Sequence, residues 1–315
     1  MLKQEQTGGQ QPISTLPTWS TILVTVNNQT FSQTTDASEI SNWSQSMSVQ
    51  DGMVQTKYDW TPGGGNGSNS STNITLSYTV LAHKVIPTLG AVYLSVSGLT
   101  NQTQVAFTDV LDVSSIPPSF SFMSDPFLGL TMLSQLQGRG AWRTDPVSQG
   151  PVPNTTHTIH SAVRPNGISN VTAYEVSLFD SWSSTNGWSI DSGANCAQNG
   201  ALSSNASTAS QCYRPMRVPA DGKIDMVKYV GIVSSDAYRG VELSTALKSA
   251  QNANSTGWDA LVKSHQAAWA KVWDDADIVI PGEEHTELQI ATRASMFHLI
   301  TNVRLLSFAF GGSQC

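Results

Sequence analysis

The sequence predicts a mainly β fold, an antiparallel β-sandwich followed by helices. Short segments alternate apolar and polar residues, which is typical of strands with one buried face. Turn-forming residues such as Asp221-Gly222 separate these segments. After Tyr238 the apolar residues recur at helical spacing instead. With 315 residues, the chain is long enough for one large all-β domain or for two domains of ordinary size.

The strand segments come first along the chain. Residues 73–80 are the clearest case, because Ile74, Leu76, Tyr78 and Val80 alternate with polar residues. Many short strands at close spacing favour a sandwich or barrel over a parallel α/β sheet. We predict strands at 21–26, 73–80, 91–96, 104–113, 173–179 and 226–233.

The helical segments follow the last strand. His265 and Trp269 lie on the apolar face of a helix predicted over 256–274, where Thr256 and Asp259 match a capping box. On such a face, His265 is more typical of a packed, hydrogen-bonded residue than of a metal ligand. Two further helices are predicted at 241–251 and 285–304.

The helix predicted at 285–304 is apolar on more than one side, as in a helix that is buried among others. Standing alone, it would expose apolar surface and favour association. The side chains expected to be exposed are Leu288, Phe297, Leu299 and Ile300.

Composition and charge exclude several classes of function. The net charge is −7 and charged residues make up 12% of the chain, without a run of Lys or Arg. A nucleic-acid or anionic-membrane partner is therefore not expected. We find neither Cys/His metal-ligand spacing nor a glycine-rich phosphate loop before a helix, and we predict no metal and no cofactor.

N-glycosylation motifs are abundant. Asn-X-Ser/Thr occurs ten times, whereas chance would give roughly four at this Ser/Thr content. Glycans are bulky and polar, so these asparagines are expected on the surface of a secreted protein. The predicted sites are Asn28, Asn42, Asn66, Asn69, Asn73, Asn101, Asn154, Asn170, Asn205 and Asn254.

The cysteines agree with an oxidising compartment. Cys196 and Cys212 flank a Gly/Ser/Asn-rich stretch, and a disulfide between them would stabilise the fold by about 3 kcal/mol in the chain-entropy model. Residues 1–20, however, contain no apolar run that could act as a signal peptide. We therefore expect that the native N-terminus precedes Met1. The apolar stretch at 305–310 is too short to span a bilayer.

The segment 265–282 carries a family resemblance. Its sequence, HQAAWAKVW followed by ADIVI and PG, resembles a signature of glycoside hydrolase family 65, in which this segment joins an N-terminal β-sandwich (a supersandwich) to an (α/α)6-barrel. Upstream segments, such as YDWTP at 58–62 and SAVRPNGISNVT at 161–172, are similar to the fungal acid trehalase branch. The resemblance covers roughly residues 12–304.

The resemblance implies a domain organisation. It predicts a β-sandwich at 1–239 that is incomplete at its N-terminus, and a helical linker at 240–282. The first helix of the catalytic barrel would then occupy 283–304. Residues 305–315 do not match the family's continuation and are expected to be an aberrant tail.

The resemblance also implies a function, namely inverting hydrolysis of trehalose to glucose by a secreted, cell-wall or periplasmic enzyme. No residue of this chain inherits the family's catalytic carboxylates, so the chain alone is expected to be inactive. The local acidic clusters are expected to begin a helix or to solvate a turn, and they comprise Glu283, Glu284, Glu287, Asp274, Asp275 and Asp277.

Two alternatives remain open. A disaccharide phosphorylase of the same fold would use phosphate in place of water. A secreted carbohydrate-binding module without chemistry would use aromatic residues, such as Trp182 and Trp188, to stack on sugars, although buried or glycan-shielding roles are more typical for them. The sequence does not predict an oligomeric state.

Overall fold

The structure is a computed structural model, and it describes residues 2–3, 13–14, 16–63, 73–113, 144–165, 170–181, 190–191, 208–215 and 218–302. Its strands are β1 (Leu2–Lys3), β2 (Ile13–Ser14), β3 (Ile22–Val26), β4 (Gln29–Phe31), β5 (Ile40–Ser48), β6 (Met53–Trp60), β7 (Ile74–Ala82), β8 (Leu89–Ser97), β9 (Val105–Asp112), β10 (Thr144–Pro151), β11 (Thr158–Pro165), β12 (Ala173–Ser181), β13 (Ile190–Asp191), β14 (Thr208–Pro215) and β15 (Ile224–Ser234).

The strands form two main antiparallel sheets. One has eight strands in the order β10-β11-β12-β15-β8-β7-β6-β5, and the other has five in the order β13-β14-β9-β3-β4. The β1–β2 pair stands apart from both. This architecture confirms the predicted antiparallel sandwich.

The main core lies between the two sheets. Val24 and Phe107 of the five-stranded sheet belong to the same buried cluster as Leu94, Phe179 and Met226 of the eight-stranded sheet. All five side chains are fully buried. Burying one such side chain stabilises the fold by roughly 1.5–3 kcal/mol, so this layer holds the two sheets together.

Within the described residues, four α-helices follow the last strand. They are α1 (Ser235–Tyr238), α2 (Glu242–Thr256), α3 (Trp258–Ala276) and α4 (Thr286–Asn302). The predicted switch from strands to helices near residue 235 is therefore confirmed, and the three longer helices match those predicted.

The predicted capping box is wrong. Gly257, at φ +81°, ends α2 and is also the N-cap of α3. Thr256 lies in the last turn of α2, where its hydroxyl donates to the carbonyl of Asn252. Only a glycine adopts this positive φ without strain, which is why the break falls at 257 and not one residue earlier.

The outer face of the eight-stranded sheet carries α2. Ala246 and Ala250 of this helix are fully buried. Gly231 of β15 allows the closest approach, because a Cβ atom built there would lie 1.9 Å from the carbonyl oxygen of Ala246. The sheet and the helical segment therefore pack backbone to backbone at this point.

The exposure of α4 is only partly as predicted. Leu288 and Leu299 are 55% and 68% exposed. Phe297, however, is 8% exposed and Ile300 is half-buried, which corrects the prediction for both. Phe297 is covered because its ring stacks on Trp269 of α3, at 4.8 Å between centroids. Among the described residues, no helix is long and apolar enough to cross a membrane.

Candidate functional site at the sandwich–helix junction

The junction between the sandwich and α3 is built around His265, which is fully buried. Its Nδ1 accepts a hydrogen bond from the backbone N–H of Lys84 at 3.0 Å, in the β7–β8 turn. Its Nε2 lies 3.4 Å from the carbonyl oxygen of Gly52, in the β5–β6 turn. Because an N–H group can only donate, Nδ1 is the acceptor and Nε2 carries the proton. One imidazole thus ties α3 to two turns of the sheet.

A second buried histidine lies beside the first. His83 and His265 have their ring centroids 5.5 Å apart. Nδ1 of His83 accepts from the backbone N–H groups of Val85 and Ile86, at 3.2 and 3.1 Å. Its Nε2 lies 3.0 Å from the hydroxyl of Ser264 in α3. His83 therefore has the same tautomer as His265 and also binds α3.

Both histidines are held neutral. Burial lowers the pKa of His83, and the neighbouring His265 adds to the effect. Burial also lowers the pKa of His265, against hydrogen bonds to Gly52 and Asp51 that act in the opposite direction. A proton added to either Nδ1 would point at a backbone N–H, which has nothing to accept it. His265 is thus a packed, hydrogen-bonded residue, as predicted.

Aromatic rings extend the junction towards α4. Trp269 stacks between Trp273, at 6.2 Å, and Phe297. The ammonium of Lys84 lies 4.4 Å from the Trp269 ring centroid, a cation–π contact. Gly52, at φ +63°, leaves room for the indole, because a Cβ there would lie 2.2 Å from Trp269 Nε1. This stack links the sheet, α3 and α4.

The link between α3 and α4 is held by side chains of α4. Gln289 Oε1 accepts from the backbone N–H of Ile280 at 2.6 Å, and its Nε2 donates to the carbonyl of Ile278 at 2.8 Å. Arg293 forms a salt bridge with Asp277, with Nε donating to Oδ1 at 3.0 Å. Hydrogen bonds from Arg293 hold the pKa of Asp277 below its ordinary value. A general acid needs a raised pKa, so Asp277 has the opposite properties.

The other acidic residues predicted to be structural are in solvent. Asp274, Asp275, Glu284 and Glu287 are all exposed. Within the described residues, no group of three or more His, Cys, Asp or Glu side chains could hold a metal ion. The arrangement joins and orients two parts of the chain.

The predicted glycosylation sites fall mostly on the surface. Asn254 is the exception, because it is half-buried in α2 and its Nδ2 donates to Asp180 at 3.1 Å. Asn66, Asn69 and Asn205 lie outside the described residues. Glycosylation itself stays a prediction. The exposed asparagines are Asn28, Asn42, Asn73, Asn101, Asn154 and Asn170.

Cys212 is disulfide-bonded in the structure. Cys196 lies outside the described residues, so the pairing of these two cysteines stays a prediction. Trp182 and Trp188, the candidates for stacking on sugars, also lie outside the described residues.

Sequence reasoning missed the partners of His265. His83 and Lys84 follow a predicted strand, where a polar pair is unremarkable, and nothing local places them beside a residue 181 positions away. For Gly52 a weak indication existed, because Asp51-Gly52 is a typical turn dipeptide.

Comparison with known proteins identifies the relatives of this chain. A family model described as the N-terminal domain of glycosyl hydrolase family 65 matches residues 3–272. The cell wall acid trehalase of Arthroderma benhamiae is 27% identical over 86% of this chain and 22% of its own length. The periplasmic acid trehalase of Saccharomyces cerevisiae is 26% identical over 93% of this chain and 22% of its own length. This chain therefore spans about a fifth of the length of these relatives.

A solved structure shares the fold. A putative kojibiose phosphorylase from the human microbiome superposes with a TM-score of 0.61 at 15% sequence identity. The match covers 90% of this chain and 31% of the phosphorylase. At this identity the likeness concerns the arrangement of sheets and helices alone.

Proposed function

Because the chain belongs to glycosyl hydrolase family 65, whose N-terminal-domain model matches residues 3–272, we propose that it is the sandwich and junction portion of an acid α,α-trehalase. The observation that carries the proposal is the junction itself. His265 and Trp269, from the segment that resembles the family signature, are among the residues that fasten α3 to the sheet. The names of two relatives, both acid trehalases, support the choice of substrate.

The proposed reaction is hydrolysis of trehalose to glucose with inversion. Inversion requires a general acid at the leaving oxygen and a general base that activates water, roughly 6.5–9.5 Å apart. We place both carboxyl groups outside these 315 residues. This placement is supported by the exposure of Glu284 and Glu287 and by the salt bridge of Asp277. The relatives, of which this chain spans 22%, have ample further length for a catalytic domain.

The proposed role of this portion is to seat a helical catalytic domain on the sandwich. In this proposal, residues 1–239 are the sandwich, 240–282 are the linker, and 283–304 begin the helical domain. The exposed apolar side chains of α4, such as Leu288 and Leu299, fit this role because a following domain would cover them.

The proposed location is outside the plasma membrane, at the cell wall or in the periplasmic space. The relatives carry the names cell wall and periplasmic acid trehalase. Six glycosylation motifs on exposed residues of the sandwich and its turns support the same location.

A phosphorylase is the second candidate. It is favoured by the shared fold of the putative kojibiose phosphorylase. Such an enzyme would cleave the disaccharide with phosphate and release a sugar phosphate, whereas a trehalase needs only water. Phosphate dependence therefore separates the two candidates.

The test is a glucose-release assay on two purified proteins, with and without phosphate. The first is the 315-residue chain, and the second extends it through the region that corresponds to the remaining length of the relatives. We expect phosphate-independent release of glucose from trehalose by the longer protein and none by the shorter one. Activity in the shorter protein that is lost in Glu284→Gln or Glu287→Gln would contradict our placement of the chemistry.

A further inference from the structure

Three charged or ionisable side chains lie together inside the sandwich. Lys228 of β15 and Asp109 of β9 form a salt bridge across the two sheets, with Nζ and Oδ1 2.7 Å apart and both side chains fully buried. Glu175 of β12 is fully buried as well, and its carboxyl group interacts electrostatically with Lys228. This cluster thus contains two carboxyl groups and one ammonium.

The hydrogen bonds of the Lys228 ammonium do not include Glu175. Its Nζ donates to the carbonyl oxygens of Thr21, at 3.1 Å, and Val110, at 2.7 Å. The salt bridge brings Asp109 Oδ1 within 2.7 Å of the same nitrogen. Glu175 interacts with Lys228 through charge alone, because neither of its oxygens has a hydrogen-bond partner.

The two carboxyl groups therefore differ in their environments. The carboxylate of Asp109 receives the ammonium of Lys228 on Oδ1 and the hydroxyl of Ser177 on Oδ2, at 2.6 Å. Neither oxygen of Glu175 has a hydrogen-bond partner. Its neighbours across the strands are Ser161 of β11 and Ile232 of β15. An ionised, buried carboxylate without donors is strongly disfavoured, whereas the neutral acid is tolerated.

We propose that Glu175 holds a proton in the folded protein, and that this proton makes the sandwich most stable in acidic surroundings and less stable as the pH rises. The charge then balances, because one ammonium faces one carboxylate. This inference concerns the stability of the sandwich and does not depend on the reaction proposed above.

The groups that face Glu175 set the direction of the effect. Burial raises its pKa well above the ordinary value of 4.5, and Lys228 opposes this shift. Among the described residues, Lys228 is the charged group that interacts with Glu175. Burial lowers the pKa of Lys228 itself, and its salt-bridge partner Asp109 opposes that shift. The phenol of Tyr213 on β14 interacts with Asp109. Below pH 4.5, Glu175 is protonated in both the folded and unfolded chains. Above it, unfolding releases one proton, and the unfolding equilibrium constant rises by up to tenfold per pH unit until the folded pKa is reached.

The test compares the wild-type chain with Glu175→Gln, which keeps the shape of the neutral acid and cannot ionise. Urea unfolding of the full 315-residue protein is measured from about pH 4.5 to about pH 8. We expect the wild-type unfolding constant to rise more steeply than that of the variant, by up to tenfold per pH unit. The comparison uses slopes, so a constant offset between the two proteins does not matter. Glu287→Gln, at an exposed position, is the matched control and should keep the wild-type slope.

A second measurement uses the wild-type protein and does not depend on whether the variant folds. Infrared difference spectra of the wild-type protein near neutral pH should contain the carbonyl band of a protonated carboxylic acid, which disappears as the pH rises. If the Glu175→Gln variant folds, its difference spectrum should lack this band. Equal pH slopes in the wild type and Glu175→Gln, or no such band in the wild type, would overturn the proposal.

Discussion

Replacing Gly231 by alanine tests whether α2 rests on the sheet by backbone contact. The added Cβ would lie 1.9 Å from the carbonyl oxygen of Ala246 and 2.6 Å from its carbonyl carbon, whereas ordinary contacts begin at 3.4 Å. A backbone carbonyl inside a helix cannot rotate away, so α2 has to move outwards by about 1.5 Å. Overpacking typically costs 1–3 kcal/mol, and because the buried Ala246 and Ala250 would lose contact as well, we expect about 3 kcal/mol.

The assay is urea unfolding followed by circular dichroism, with Gly90→Ala as the matched control. Gly90 pairs with Val230 on the neighbouring strand. The three atoms nearest to a Cβ there all belong to the ring of Trp19, the first at 2.8 Å, and a half-buried side chain can shift more easily than a backbone carbonyl inside a helix. The control should therefore cost about 1 kcal/mol or less. If Gly231→Ala unfolds at the same urea concentration as the wild type, the backbone contact between α2 and β15 does not hold the helix in place.

Three further predictions concern the junction and the modifications. Lowering the pH from about 7 to about 5 should lower the protection factors of the α3 amides, which correct the observed exchange rates for the intrinsic effect of pH on exchange. The reason is that His83 and His265 have lowered pKa values in the fold, so the junction is fully stable above their ordinary value of 6.5 and weakens as the pH falls below it. His265→Gln should show a smaller change, and protection factors independent of pH in the wild type would contradict the prediction. Non-reducing peptide mapping should recover Cys196 linked to Cys212, and two free thiols would disprove the link. In glycopeptide mass spectrometry of the protein secreted from a fungal host, Asn254 should be the least occupied of the described sites, because it is half-buried whereas the others are exposed, and its amide donates to Asp180. Occupancy equal to that of the exposed sites would contradict the prediction.

The sequence predicts strands with a clear apolar pattern, such as β7 and β9, and misses β5. Residues 73–80 were predicted from alternation and form β7, whose even-numbered residues Ile74 and Leu76 are fully buried. In contrast, β5 has no buried residue, so its Ser-rich sequence carries no alternation and no strand was predicted there. Strand order was equally hidden, because β15 lies between β12 and β8 through contacts far apart in sequence.

The buried polar groups were also beyond sequence analysis. Lys228 stands in an apolar strand, where the pattern alone does not tell whether a lysine reaches solvent or an internal partner. Its partner Asp109 lies on another sheet. For Phe297 the prediction of exposure is wrong because apolar residues lie on more than one side of α4, so the sequence does not say which side meets Trp269.

The histidine junction binds the β7–β8 turn through main-chain atoms, and this has an evolutionary consequence. His265 and His83 accept from the N–H groups of Lys84, Val85 and Ile86, and make no demand on the side chains that follow those nitrogens. Val85 and Ile86 can therefore be replaced without loss of the histidine contacts, whereas the Lys84 side chain also contacts the Trp269 ring. A proline at any of these three positions would remove a hydrogen bond to a histidine, because proline has no backbone N–H.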